Sequence, residues 1–111
     1  MAETAGMTVS FPSSAKGEAP RIQIQPRTLT VPSEQNLVQF WVTAVDGNQV
    51  TYQWLADAVP IVDDATYSGT DNPILSITMD GTTTLSGTEY SCVIANNVGS
   101  VTTAVALLTV T

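Results

Sequence analysis

The sequence predicts an all-β chain with an extended N-terminal arm in front. Three observations predict it. From Arg21 onward apolar and polar residues alternate with a period of two. Turn-forming residues break that alternation at regular intervals. The alternating runs are rich in threonine, valine and isoleucine, whose β-branched side chains suit a pleated, half-buried surface.

Residues 1–20 come first and read as a flexible arm. They are rich in Ala, Ser, Gly and Pro and keep no sustained period. Met7, Val9 and Phe11 give the arm three alternating apolar anchors, and Lys16 and Arg21 make it mildly basic. These five are the arm's candidate partner-binding residues, on a segment that orders against its target.

Residues 21–111 form the domain. Strands are expected at 21–25 and 28–31, split by Pro26, then at 36–45, 49–55, 59–61, 66–67, 74–79, 88–95 and 101–110. Asp46-Gly47-Asn48, Ser68-Gly69, Asp80-Gly81 and Asn96-Asn97-Val98-Gly99 supply the turns, because Gly and Asn tolerate positive φ. Pro32 and Pro73 stand at strand margins, where a missing N–H is harmless.

Composition bounds the function. A chain of 111 residues holds one domain with a modest core. Its 12% of charged residues is about half the usual share, so Thr, Ser, Asn and Gln carry much of the solubility. Ten acidic against three basic residues give a net charge of −7, and all three bases lie in the first 27 positions. Such a surface repels phosphate, so nucleic acid and anionic lipid are poor partners. No apolar run approaches membrane-spanning length. The opening Met-Ala-Glu-Thr-Ala-Gly lacks the charged and apolar regions of a signal peptide. One cysteine without a partner fits a reducing compartment. Synthesis in a cytoplasm is therefore expected.

The order of residues carries a resemblance. Tyr90-Ser91-Cys92 follows Trp54 by 38 positions. Val42-Thr43-Ala44, Tyr52-Gln53-Trp54, Leu75-Ser76-Ile77, Gly87-Thr88-Glu89-Tyr90-Ser91-Cys92 and Asn96-Asn97-Val98-Gly99-Ser100 appear in sequence. From about Pro20 to the end the chain resembles immunoglobulin-like domains, closest to the intermediate-set type of bacterial and tailed-phage proteins. The resemblance implies a Greek-key sandwich whose structural core holds Val42, Trp54, Tyr90 and Cys92. It implies that Val38, Phe40 and Ala44 face the core with Val42, and Tyr52 with Trp54. It places Val42 where the family usually carries its first cysteine, which forfeits the inter-sheet disulfide. It casts Tyr90 as a corner residue, its hydroxyl bonding backbone near Leu85–Ser86.

Chemistry is sparse. The chain has no histidine, which removes the commonest general base and metal ligand. Cys92 is placed in the core by its alternation, away from any base that would activate it. Asp57, Asp63, Asp64 and Asp71 fall in the loops of mid-chain, but without the spacing of a calcium loop, and read as solvated turns. No catalytic, cofactor-binding or metal-binding residue is assigned, and no enzyme activity or cofactor is expected. Two surface features remain as candidate partner-binding faces. Trp41 alternates away from the core, as an anchor or beneath the arm. Leu55, Val93, Val105 and Leu107 should share the outer face of the other sheet.

A single module of this kind, with its own Met and no bridge, resembles a virion accessory protein of a tailed phage. That resemblance implies a capsid decoration protein on the outer capsid surface of the virion, made in the host cytoplasm. Its partners would be the major capsid protein and a second copy of itself in a homodimer. The alternative is a ligand-binding module, of glycan-binding or adhesin type, on a phage tail or bacterial surface.

Overall fold

The computed structural model describes residues 19–45, 49–79 and 85–111. Met7, Val9, Phe11 and Lys16 lie outside the described residues, as do the turns Asp46-Gly47-Asn48 and Asp80-Gly81. Ala19 and Pro20 belong to the packed body: Pro20 is buried, and Ala19 lies against Gly99, close enough to crowd a Cβ there.

The described residues hold eleven strands and no helix. They are β1 (Arg21–Ile24), β2 (Leu29–Val31), β3 (Leu37–Trp41), β4 (Thr43–Val45), β5 (Thr51–Ala56) and β6 (Val59–Pro60). There follow β7 (Tyr67–Ser68), β8 (Ile74–Thr78), β9 (Glu89–Ala95), β10 (Ser100–Thr102) and β11 (Ala106–Val110). One layer runs β2-β11-β9-β5-β6, with β10 continuing the β11 side of β9. The other holds β3 with β8 and β7, and β4 with β1. All pairings are antiparallel except β11 with β2, which is parallel.

Two expected long strands are each divided in two, for local reasons. The run 36–45 breaks at Val42, where β3 hands over from β8 to the β1 pairing of β4. Its N–H still reaches the Pro73 carbonyl at 3.1 Å. The run 101–110 breaks at Thr103–Val105. The β9 register passes from Val93↔Thr102 to Tyr90↔Ala106, which requires one extra residue on the partner strand, a β-bulge. Side chains close the gap this opens. Thr103 Oγ1 accepts from the Cys92 N–H at 2.9 Å, Gln25 Oε1 from the Ala104 N–H at 2.8 Å, and Thr28 Oγ1 from the Leu107 N–H at 3.1 Å.

The core lies between the layers. Trp54, Tyr90, Phe40, Leu75, Ile77 and Ile94 are its largest fully buried side chains. Alternation delivers them. In β9 Tyr90, Cys92 and Ile94 face inward, and in β3 Val38 and Phe40 do. Each large side chain taken out of water contributes roughly 1.5–3 kcal/mol, so this cluster dominates stability.

Candidate interaction surfaces

The core set expected from the sequence comes together. Trp54 and Cys92 are register partners, and Val42, Trp54, Tyr90 and Cys92 are all buried. Ala44 and Tyr52 are half-buried and pack against this cluster. Cys92 is a free thiol. Burial pushes it up to about 11, so almost none is thiolate near neutral pH. Trp54 donates its indole N–H to the Asn72 carbonyl at 2.7 Å. The Tyr90 hydroxyl corrects an expectation. It meets the Tyr67 hydroxyl at 3.0 Å rather than backbone at Leu85–Ser86. Ser86 has other work: its hydroxyl accepts from the Val110 N–H at 2.9 Å. Burial, then the bond to Tyr67, drives the Tyr90 pKa well above the usual phenol range.

Three of the four mid-chain aspartates, though exposed, fasten turns. Asp64 Oδ1 accepts from the backbone of Thr66 and Tyr67, both at 2.8 Å. Asp63 Oδ1 accepts from the Thr70 hydroxyl at 2.7 Å and the Thr70 N–H at 3.0 Å. These bonds hold the Asp63 carboxyl below the usual carboxylate range. Asp57 opens the β5–β6 turn and accepts from the Glu89 N–H at 3.0 Å. Among the described residues no three His, Cys, Asp or Glu side chains converge to hold a metal.

Two outer faces carry apolar side chains. On the first, Trp41 of β3 stands directly opposite Ile74 of β8. They are 41% and 51% exposed, so the pair is a raised apolar patch. Ile74 was not singled out from sequence, although strand pairing across Trp41 was the signal that could have found it. Gln39 and Ser76, the next outward pair, hydrogen-bond to each other at 3.1 Å. On the second face, Leu55, Val93 and Leu107 turn outward as expected but are half-buried, shielding Ser91 between them. Val105, beside the bulge, is 53% exposed. Arg21 lies exposed on β1.

This architecture matches known structures closely. The first two domains of the Drosophila receptor protein tyrosine phosphatase DLAR superpose with a TM-score of 0.71 at 23% identity, over 85% of this chain and 50% of that one. Titin M4 gives 0.68 at 26% identity, over 86% and 98%. The complex of titin M10 with obscurin-like 1 gives 0.72 at 21% identity, over 86% and 96%. The fold is an immunoglobulin-like β-sandwich. The chain spans about half the length of the DLAR fragments it matches. No protein-family model matches the chain, and no curated protein matches it in sequence.

Proposed function

We propose that this chain is a non-enzymatic virion structural protein, a capsid decoration module that binds neighbouring major capsid subunits on the outer surface of the shell. The observation that carries the reading is the Trp41–Ile74 pair, two large apolar side chains presented side by side on an outer sheet face that also exposes Leu37, with the polar Gln39–Ser76 pair between them. Exposed tryptophan is the side chain most enriched where protein–protein affinity concentrates. The core supports the setting. Val42 and Cys92 are packed without a disulfide, so the fold does not depend on an oxidising compartment and suits assembly in a host cytoplasm. The acidic surface disfavours nucleic acid and anionic lipid as partners and leaves a protein shell.

Quantitative mass spectrometry of fractionated particles tests this. The chain should accumulate in stoichiometric amounts with heads, and the doubly substituted Trp41→Ser, Ile74→Ser protein should fold yet leave the heads at least tenfold depleted. Recovery with tails or membranes instead would replace this reading by the ligand-binding alternative.

A further inference from the structure

β1 covers only part of the edge it joins. It pairs with β4 from Arg21↔Val45 to Ile24↔Thr43. Continuing that register would set Pro26 against Trp41, and proline has no N–H to donate. The chain leaves there, crosses to the other layer and becomes β2 on β11. Among the described residues, no strand pairs with the edge of β3 beyond it.

The parity of the ladder says which groups are stranded. Asn36 accepts from the Met79 N–H at 2.8 Å, and the Val42 N–H donates to Pro73 at 3.1 Å. Even-numbered residues of this segment therefore point their backbone at β8. Leu37, Gln39 and Trp41 point theirs to the vacant side. Gln35 Nε2 donates to the Leu37 carbonyl at 3.0 Å, a local substitute for a neighbouring strand. The Gln39 backbone has no such substitute among the described residues. Alongside runs a groove of about 190 Å³, lined by Arg27, Thr28, Leu29, Gln39, Phe40 and Trp41.

We propose that this edge is a strand-addition site for an extended acidic peptide segment of a partner protein. The open N–H and C=O groups would pair with its backbone. Trp41, beside Ile74, offers an apolar neighbour to alternate side chains of the added strand. The charge selects the peptide. Arg27 is exposed, has no ion pair among the described residues, and lines the groove, whereas no acidic residue does. In a chain of net charge −7 this is a local reversal of sign. The inference concerns the edge alone and does not rest on the capsid reading.

The probe is a blocked, fluorescein-labelled octapeptide of alternating valine with two glutamates and flanking threonines, titrated by anisotropy at low salt. Saturable binding is expected, weakened at least tenfold by Gln39→Pro and by Arg27→Glu. Gln39→Pro removes the backbone N–H on the vacant side and the side-chain bond to Ser76, while the backbone ladder to β8 survives, so its far-ultraviolet spectrum should be native. The same peptide N-methylated on alternate amides should not bind the unaltered protein, which keeps the test decisive should the proline variant not fold. A lysine-for-glutamate peptide should prefer the Arg27→Glu protein. Absence of saturable binding would overturn the proposal, as would binding indifferent to N-methylation. So would sedimentation showing a dimer that Gln39→Pro dissolves, since the edge would then belong to a second copy of the chain.

Discussion

Cys92 and Trp54 stand directly opposite each other across the β9–β5 ladder, and neither side chain reaches solvent. In antibody-type immunoglobulin domains a cysteine at this place is bridged to the facing sheet. Here Val42 takes the partner's place, and apolar packing replaces the bond. The thiol donates weakly to the Val93 carbonyl at 3.7 Å and is otherwise enclosed.

Native protein should therefore react with a thiol reagent far more slowly than protein unfolded in urea. Burial raises the Cys92 pKa to about 11, so the native thiolate is scarce at pH 8 as well as inaccessible. Rapid native labelling would show that the thiol is not where the register places it.

The β5–β6 hairpin turns through Asp57 and Ala58, at φ of 51° and 67°. Two residues with positive φ make the tight turn that matches strand twist, and its favoured sequence is Asn-Gly or Asp-Gly. Ala58 holds a left-handed conformation that costs an L-residue roughly 1–2 kcal/mol. Ala58→Gly should raise the melting temperature by several degrees, the size expected of about 1 kcal/mol in a domain this small. Gly69→Ala should lower it, because Gly69 has φ of 72° and a Cβ there would collide with the Ile74 carbonyl. Calorimetry of the two variants checks both signs, and equal melting temperatures would refute the strain argument.

What could be read in the sequence was whatever alternation controls. Tyr90, Cys92 and Ile94, like Val38 and Phe40, follow a period of two without interruption, and all are buried. Trp41 falls out of phase with its neighbours and duly faces outward. What could not be read depends on the partner strand. Thr103 sits in a run that looks like one continuous strand, and only pairing with β9 reveals the bulge. The Tyr67–Tyr90 hydroxyl pair joins residues 23 positions apart, and nothing local marks it. Ile74 becomes part of a patch only because register sets it opposite Trp41.

Acid should expose the role of Asp63. Its carboxylate holds Thr70, and the Thr70 carbonyl accepts from the Trp54 N–H at 2.9 Å, so one charge helps fasten a loop to the core tryptophan. The hydrogen bonds from Thr70 lower the folded pKa. A lowered pKa means that the stabilisation is present above the unfolded value of about 4 and is lost as pH falls through the folded one. Asp63→Asn should therefore melt lower than the native chain at pH 6, and the difference should shrink as both are brought towards pH 2. A difference that stays constant with pH would assign the loss to geometry rather than to the charge.

Thr103 is the residue on which the β-bulge depends. It is buried, and its hydroxyl both accepts from the Cys92 N–H at 2.9 Å and donates to the Ala104 carbonyl at 3.0 Å, while its own N–H donates to the Cys92 carbonyl at 2.9 Å. The side chain thus stands in for the ladder bond that the extra residue displaces. Thr103→Val keeps the shape and removes the acceptor, leaving a buried backbone N–H unpaired at a cost of ~1–3 kcal/mol. The melting temperature should fall by at least about 4 °C, given the size of the domain. Thr103→Ser keeps the hydroxyl and loses one methyl, about 0.8 kcal/mol, and should lie between the two. The bulge also sets the direction of Val105, which is 53% exposed beside Leu107 on the outer face. Amide hydrogen exchange provides the local reading: in the valine variant Cys92 N–H should exchange faster than the neighbouring Tyr90 and Ile94 N–H, beyond what global destabilisation explains. Equal acceleration at all three amides would mean that the hydroxyl contributes to overall stability without holding the bulge.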